Sequence, residues 1–318
     1  MSLHNISWRN LLRHETILAI VAVALLILLA FQSSQFFTGA NLLNQGRLMT
    51  EVGLVAIIMT FVIITGGIDL SVGSILGLTA ILTGVFWQNL GLPLVLAACL
   101  AIAVGTFCGF VNGFVITRFG VPPLIATLAT LALYRGLAEG ISQARSVRGY
   151  PEWFYVLGQG SLLGVPTQLW ILIALAILAS ILLAATRIGR SIYAIGANEV
   201  AAFFSGLPVN RTKIAVYTAS GFAAALAGVI FVSRVSTTRS DMGTGLELDA
   251  ITAVVLGGTS IYGGRGSVIG TLIGLVVIQS LKNGLSLAGV KAEGTAVLIG
   301  LMLIGAILMT TVLNKRLA

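Results

Sequence analysis

The chain has 318 residues, 57% of them hydrophobic and only 9% charged, with a formal net charge of +8 and a mean hydropathy of +1.04. A soluble protein needs roughly a quarter of its residues charged to cover its surface, so these figures exclude a soluble domain and make lipid the solvent. The basic residues lie between apolar runs rather than in one patch, which excludes a nucleic-acid footprint and fits charges that orient a membrane protein.

The apolar runs fall at 16–33, 48–65, 70–87, 92–116, 122–142, 168–186, 212–235, 248–262, 267–285 and 292–312. At about 20 residues per span they predict an all-α polytopic membrane protein of about ten transmembrane helices, several short or broken by glycine. All of 1–318 reads as a single transmembrane domain. The first run follows Arg9 and Arg13 and lacks a small-residue cleavage site after it. It is read as a span and not as a signal peptide. Cys99 and Cys108 share the fourth run and read as small buried hydrophobes.

Arg9, Arg13, Arg118, the 187–213 loop, Arg265, Lys315 and Arg316 fall on one side of a ten-span chain. That side is predicted to be cytoplasmic, with both termini inside. Arg47, Arg145, Arg148 and Arg239 fall on the other. The outer segment 144–168 carries Tyr150, Trp153, Phe154 and Tyr155, which are predicted to lie along the interface.

Thr65-Gly66-Gly67-Ile68-Asp69-Leu70-Ser71-Val72-Gly73 is a dense local signal. Two glycines end one span, and Asp69 and Ser71 sit where the next helix starts, so the carboxylate can cap free N–H groups there. A capped helix re-entry is the plain reading of Gly66, Gly67, Asp69, Ser71 and Gly73. Substrate contact and a gating motion are the sharper ones. Gly245-Leu246-Glu247-Leu248 repeats the pattern of glycine, aliphatic, acid and leucine five spans later. An odd span offset inverts the second copy, as in an inverted-topology repeat.

Gly105, Gly109 and Gly113 make a small-residue stripe for helix packing, and Gly270 and Gly274 another. Arg135 and Glu139 are spaced to pair on one helix face. Arg234, Glu247, Asp249, Lys282 and Glu293 fall near span ends, where snorkelling accounts for them. His4 and His14 lie outside the spans and give no proton relay. Gly263-Gly264-Arg265-Gly266 lacks the Lys-Ser/Thr of a phosphate loop, and no nucleotide-binding motif of that kind occurs. Neither catalytic residues nor a metal site nor a cofactor is predicted.

The 187–213 loop is the longest polar interruption, with Arg187, Arg190, Arg211 and Lys213 around the segment 196–206. That segment is predicted to form a short inside helix that docks a soluble partner through Gly196, Asn198, Glu199, Ala201, Ala202, Ser205 and Gly206.

From about the second span onward the chain resembles the permease subunits of bacterial ABC importers for monosaccharides, the ribose, xylose, arabinose, galactose, rhamnose and autoinducer-2 group. The resemblance rests on Gly66-Gly67-Ile68-Asp69-Leu70-Ser71-Val72-Gly73, on segment 196–206, and on Ala253-Val254-Val255-Leu256-Gly257-Gly258 through Gly263-Gly264-Arg265-Gly266 and Gly270-Thr271. It implies that 196–206 is a coupling helix for a cytoplasmic ABC ATPase, with a periplasmic sugar-binding protein and a second permease chain, identical or related, as further partners. It implies a bacterial inner membrane location and a passive pathway through lipid-embedded helices. Phe203-Phe204 stands where family members often carry an arginine. The stretch Arg239-Ser240-Asp241-Met242-Gly243-Thr244-Gly245 is similar to rhamnose or autoinducer-2 permeases. An ion-coupled secondary transporter, with Asp69 as its carboxylate, and a channel-like subunit are the competing classes.

Overall fold

The computed structural model describes residues 34–317 together with 20, 22–24, 26–29 and 31, with side chains as far as residue 305. It is helical almost throughout. In chain order the helices are α1 (Gly39–Ile64), α2 (Val72–Gly84), α3 (Leu94–Phe119), α4 (Pro123–Ser142), α5 (Glu152–Gln159), α6 (Thr167–Ala185), α7 (Arg187–Ala197), α8 (Glu199–Phe204), α9 (Val209–Val235), α10 (Leu246–Leu256), α11 (Val268–Leu287) and α12 (Ala292–Leu317). A two-residue hairpin, β1 (Ser161–Leu162) on β2 (Val165–Pro166), joins α5 to α6.

The boundaries follow from local chemistry. α1 ends where Gly66 takes φ +79°. The Gly66 N–H then bonds the Ile63 carbonyl at 2.9 Å and the Gly67 N–H the Val62 carbonyl at 3.0 Å, the left-handed glycine cap. α3 is entered from Pro93 and closed by Gly120 at φ +66°, and α4 opens on Pro123 at its first turn, where a missing N–H costs nothing. A five-residue π turn, Val85–Asn89, extends α2.

Among the described residues seven helices are long and apolar enough to cross a membrane: α1, α2 with its π turn, α3, α4, α6, α9 and α11. The predicted span 248–262 is not among them. Its helix, α10, has 11 residues, about 16 Å at 1.5 Å per residue, against a hydrocarbon core of about 30 Å. Gly257 and Gly258, the latter at φ +89°, stop it half-way. The first predicted span, 16–33, lies mostly outside the described residues.

Every residue of α2 from Val72 to Gly84 is buried, as expected of a helix that is apolar all round. α9 packs along α3, α2 and α1; α11 packs on α10 and α1; and α6 lies against α1. Glycines set the α3–α9 crossing. A Cβ on Gly109 would lie 2.8 Å from the Gly221 Cα, one on Gly105 2.6 Å from the Ala225 Cβ, and one on Gly113 2.8 Å from the Ile214 Cα. Gly270 and Gly274 meet the backbone of Gly257 and Ala253 in the same way. Both stripes are thus internal packing surfaces.

Several charged residues depart from expectation. Arg234 does not snorkel: its Nε bonds the buried Glu51 carboxylate at 2.6 Å, and its guanidinium lies 4.8 Å from the Phe231 ring centroid. Lys282 bonds Asp249 at 2.5 Å. Arg135 is not ion-paired with Glu139 among the described residues but donates to the carbonyls of Ser240, Met242 (2.9 Å) and Gly73 (3.2 Å). For Arg234 and Arg135 an apolar surrounding rewards a partner inside the bundle over a long reach to water. Of the outer aromatics, Tyr150 and Phe154 are buried and only Trp153 is well exposed. Tyr150 stacks on Trp87 at 4.6 Å, and burial pushes its phenol well above the ordinary value. Cys108 is buried, but Cys99 is exposed, because its side of α3 faces outward.

Replacing Gly109 places side-chain atoms against the backbone of α9, where nothing can rotate away. Gly109→Leu is expected to lose about 3 kcal/mol or more, at the top of the overpacking range, and to accumulate poorly in membranes. Size-exclusion yield and unfolding midpoint in detergent check this; a monodisperse variant with the parent midpoint refutes the packing assignment.

Candidate functional site

In the break between α1 and α2, Gly67, Asp69 and Ser71 are buried, while Gly66 is exposed. Asp69 has no exposed surface. Its Oδ1 accepts from the Ser71 N–H at 3.0 Å and the Ser71 hydroxyl at 2.7 Å. Its Oδ2 accepts from the Ser220 hydroxyl of α9 at 2.8 Å. Asn112 of α3 donates to Ser71 Oγ at 2.8 Å, and Thr127 of α4 donates to the Ile68 carbonyl at 3.1 Å. One carboxylate therefore gathers α2, α3 and α9 around an unwound segment. Charge-assisted bonds of this kind are stronger than neutral ones, and a carboxylate in an apolar interior needs them. Gly67 packs on the Tyr217 hydroxyl, leaving no room for a Cβ.

A second feature lies at the same end of α1. The Gly264 N–H donates to the Ile64 carbonyl at 2.9 Å. Gly196, at the end of α7, sits against this bond: a Cβ there would lie 2.5 Å from Gly264 N and collide with Ile64 O. A Cβ on Gly263 would lie 2.8 Å from Gly196 O and 3.1 Å from Gly66 N. Tyr193 of α7 donates to the Gly266 carbonyl at 2.7 Å. Three turns thus meet backbone to backbone: the end of α7, the end of α1 and the α10–α11 turn.

α8 follows directly. Asn198 caps it, its Oδ1 accepting from the Ala201 N–H at 2.9 Å, and Gly206 at φ +80° ends it. Ala202 is buried with Ile195 and Val209. Asn198, Glu199, Ala201, Ser205 and Gly206 are exposed. Gly196 is not on that surface; it is half-buried in the junction just described. Glu199 pairs with Lys213 of α9 at 2.5 Å, which ties α8 to the bundle but is worth less than about 1 kcal/mol at the surface. Phe203 is 64% and Phe204 82% exposed. Two aromatic rings on a short capped helix give an apolar anchor of the kind that carries binding energy when covered.

Gly73 connects the Asp69 segment to the start of α10. A Cβ on it would collide with Glu247 Oε2 and the Gly243 carbonyl, and its own carbonyl accepts from Arg135. The helix starts at Gly73 and Glu247 therefore meet inside the bundle.

The model of the family described as "branched-chain amino acid transport system / permease component" matches residues 41–307. The chain belongs to this family. The permease is 41% identical to the ribose import permease RbsC of Bacillus subtilis strain 168 over 287 residues, covering 90% of this chain and 89% of that protein. It is 41% identical to the ribose import permease RbsC of Escherichia coli K12 over 304 residues, covering 92% of each. It is 40% identical to the autoinducer 2 import system permease LsrD of Escherichia coli O9:H4 over 259 residues, covering 80% of this chain and 78% of that one. No solved structure matches it. The chain is a multi-pass permease component of a membrane transport system.

Sequence reading found Asp69 and Ser71 but missed Asn112 and Ser220. Asn112 was legible as an amide inside an apolar run, whereas Ser220 had no signal beyond its place beside Gly221.

Asp69→Ala leaves three donors in the break without an acceptor. Hydrogen bonds to a charged group contribute about 1.5–3 kcal/mol each, so a loss of about 4 kcal/mol or more is expected, with Asp69→Asn milder. Both variants should still reach the membrane, while transport by Asp69→Ala falls at least ten-fold; equal transport by Asp69→Ala and parent overturns a role for this segment.

Proposed function

We propose that this chain is the membrane-spanning subunit of an ATP-driven importer of a monosaccharide or related small polyol-like molecule. The observation that carries the reading is the 41% identity to ribose import permeases across about nine-tenths of both chains. Its partners on this reading are a cytoplasmic ABC ATPase, a periplasmic sugar-binding protein, a second permease chain of the same or a related kind, and the lipid of the bacterial inner membrane. Rhamnose or autoinducer-2 is the favoured solute within the class; the 40% identity to an autoinducer 2 permease supports the second.

α8 is the docking element for the ATPase. Its support is the capped, exposed helix with Val200, Phe203 and Phe204 outward. The half-buried Gly196 serves this surface from behind: a push on α8 reaches α7, and from the Gly196 junction it reaches both the end of α1 and the α10–α11 turn. The Gly66–Gly73 segment is then the part that moves at the pathway.

We also propose ten crossings with both termini cytoplasmic, in two inverted halves, the eighth crossing being made by the half-length α10 together with the 236–245 segment before it. The helix contacts support this: α1 on α11 answers α9 on α3, α2 on α9 answers α10 on α1, α2 on α3 answers α10 on α11, and α2 on α4 answers α10 on α12. Broken helices meeting at the junction of inverted halves are a known way to build a transport site. The ion-coupled alternative has less support, since both Asp69 oxygens already accept hydrogen bonds from protein donors.

The experiment is uptake into vesicles holding the complete importer, with ion gradients collapsed. Uptake of rhamnose, autoinducer-2 or ribose, whichever is carried, should require ATP and survive loss of the gradients; uptake that follows the gradient and ignores ATP sinks the reading. Phe203→Glu with Phe204→Glu should cut ATPase co-purification at least ten-fold while leaving the permease folded. Full co-purification would show that the ATPase docks elsewhere.

A further inference from the structure

The cavities between α1, α6, α7 and α9, and between α1, α6 and α11, are lined almost wholly by aliphatic side chains. The cavity of about 490 Å³ between α10, α11 and α12 is different. Asp249 and Lys282 lie in its wall, paired at 2.5 Å and both partly exposed. Thr244, Thr252, Ser286 and Thr295 line it too. Ser286 lies 18 residues beyond the start of α11, about 27 Å along that helix from the end that adjoins the Gly264–Gly196 junction. The cavity therefore belongs to the half of the bundle remote from α8.

An ion pair left partly exposed at membrane depth calls for water beside it, because lipid gives neither ion a partner. The free bonding capacity is of both kinds. Lys282 gives Asp249 one of its three donors. The hydroxyls of Thr244, Thr252 and Thr295 donate to the carbonyls of Asp241, Leu248 and Lys291, which turns their lone pairs toward a visitor. The charges in the wall cancel, so neither an anion nor a cation gains from entry, whereas a neutral molecule rich in hydroxyls can satisfy donors and acceptors together.

We propose that this cavity is a water-filled vestibule opening on the face opposite α8 and taking a neutral polyhydroxy solute, with the Asp249–Lys282 pair as its hydrogen-bonding handle. The solute part rests on the importer reading above; the vestibule does not.

The test uses the full chain with Cys99 and Cys108 replaced by serine and alanine. In membrane fragments open on both faces, a charged, membrane-impermeant maleimide should label Thr295→Cys at least ten-fold faster than Val297→Cys. Val297 is on the same helix and 63% exposed on its outer surface. Equal rates at the two positions overturn the vestibule. Thr295→Trp, which fills the cavity, should then cut ATP-dependent uptake of the sugar or autoinducer-2 that the parent imports at least ten-fold with the unfolding midpoint unchanged. Uptake at the parent rate in that variant overturns the solute role. A parent protein that imports none of ribose, rhamnose and autoinducer-2 while Thr295→Cys still labels fast supports the vestibule and counts against the importer reading.

Discussion

A chain surrounded by hydrocarbon has no water to satisfy its peptide groups, so each departure from helix must be answered by protein. The architecture follows from that constraint. The unwound Gly66–Ser71 segment is possible only because Asp69, Thr127 and the glycine cap of α1 take up its polar groups. The α10–α11 turn is possible because the Gly264 N–H finds the Ile64 carbonyl. Breaks in this fold therefore occur in company. Each of these two is answered by another turn or by a buried polar side chain.

Close approach is the second requirement, and glycine meets it. In lipid, helices associate through packing rather than through escape from water, so α3 and α9 gain from backbone contact at Gly109 and Gly221. The same residue type does a different job at Gly196. There it lets a peripheral helix touch two turns of the bundle at once. A stripe of glycines fixes a crossing, while a cluster of glycines from separate turns makes a joint.

The class of the protein was written in its composition, and most long helices in their apolar runs, because lipid imposes a length and a polarity that a sequence displays directly. The break at Gly66–Ser71 was legible for the same reason: two glycines and a carboxylate do not continue a span. α10 was not. Its apolar pattern runs past Gly257 and Gly258, and only the backbone of the folded chain shows where the helix stops. Pairings across the bundle were also hidden. Arg135 and Glu139 have the spacing of a pair, but three carbonyls on other segments are nearer to the guanidinium in the folded bundle. Glu51 and Arg234 are 183 residues apart, and local spacing cannot join them. Gly196 was legible as part of the 196–206 segment, but its close approach to Ile64 and Gly264 was not, since a glycine's neighbours cannot be read from its own segment.

α8 has six residues, far below the length at which an isolated helix persists in water. Its form is lent to it by the Asn198 cap, the buried Ala202 and the pair between Glu199 and Lys213. Before α9 and the end of α7 are in place, the segment is coil, and Phe203 and Phe204 have no fixed spacing. A soluble protein that reads those two rings in their helical arrangement can thus distinguish a finished bundle from a nascent one. With α8 as the docking element proposed above, assembly would acquire an order, with insertion and packing first and recruitment afterwards, and the shape of one short helix would serve as the signal of completion.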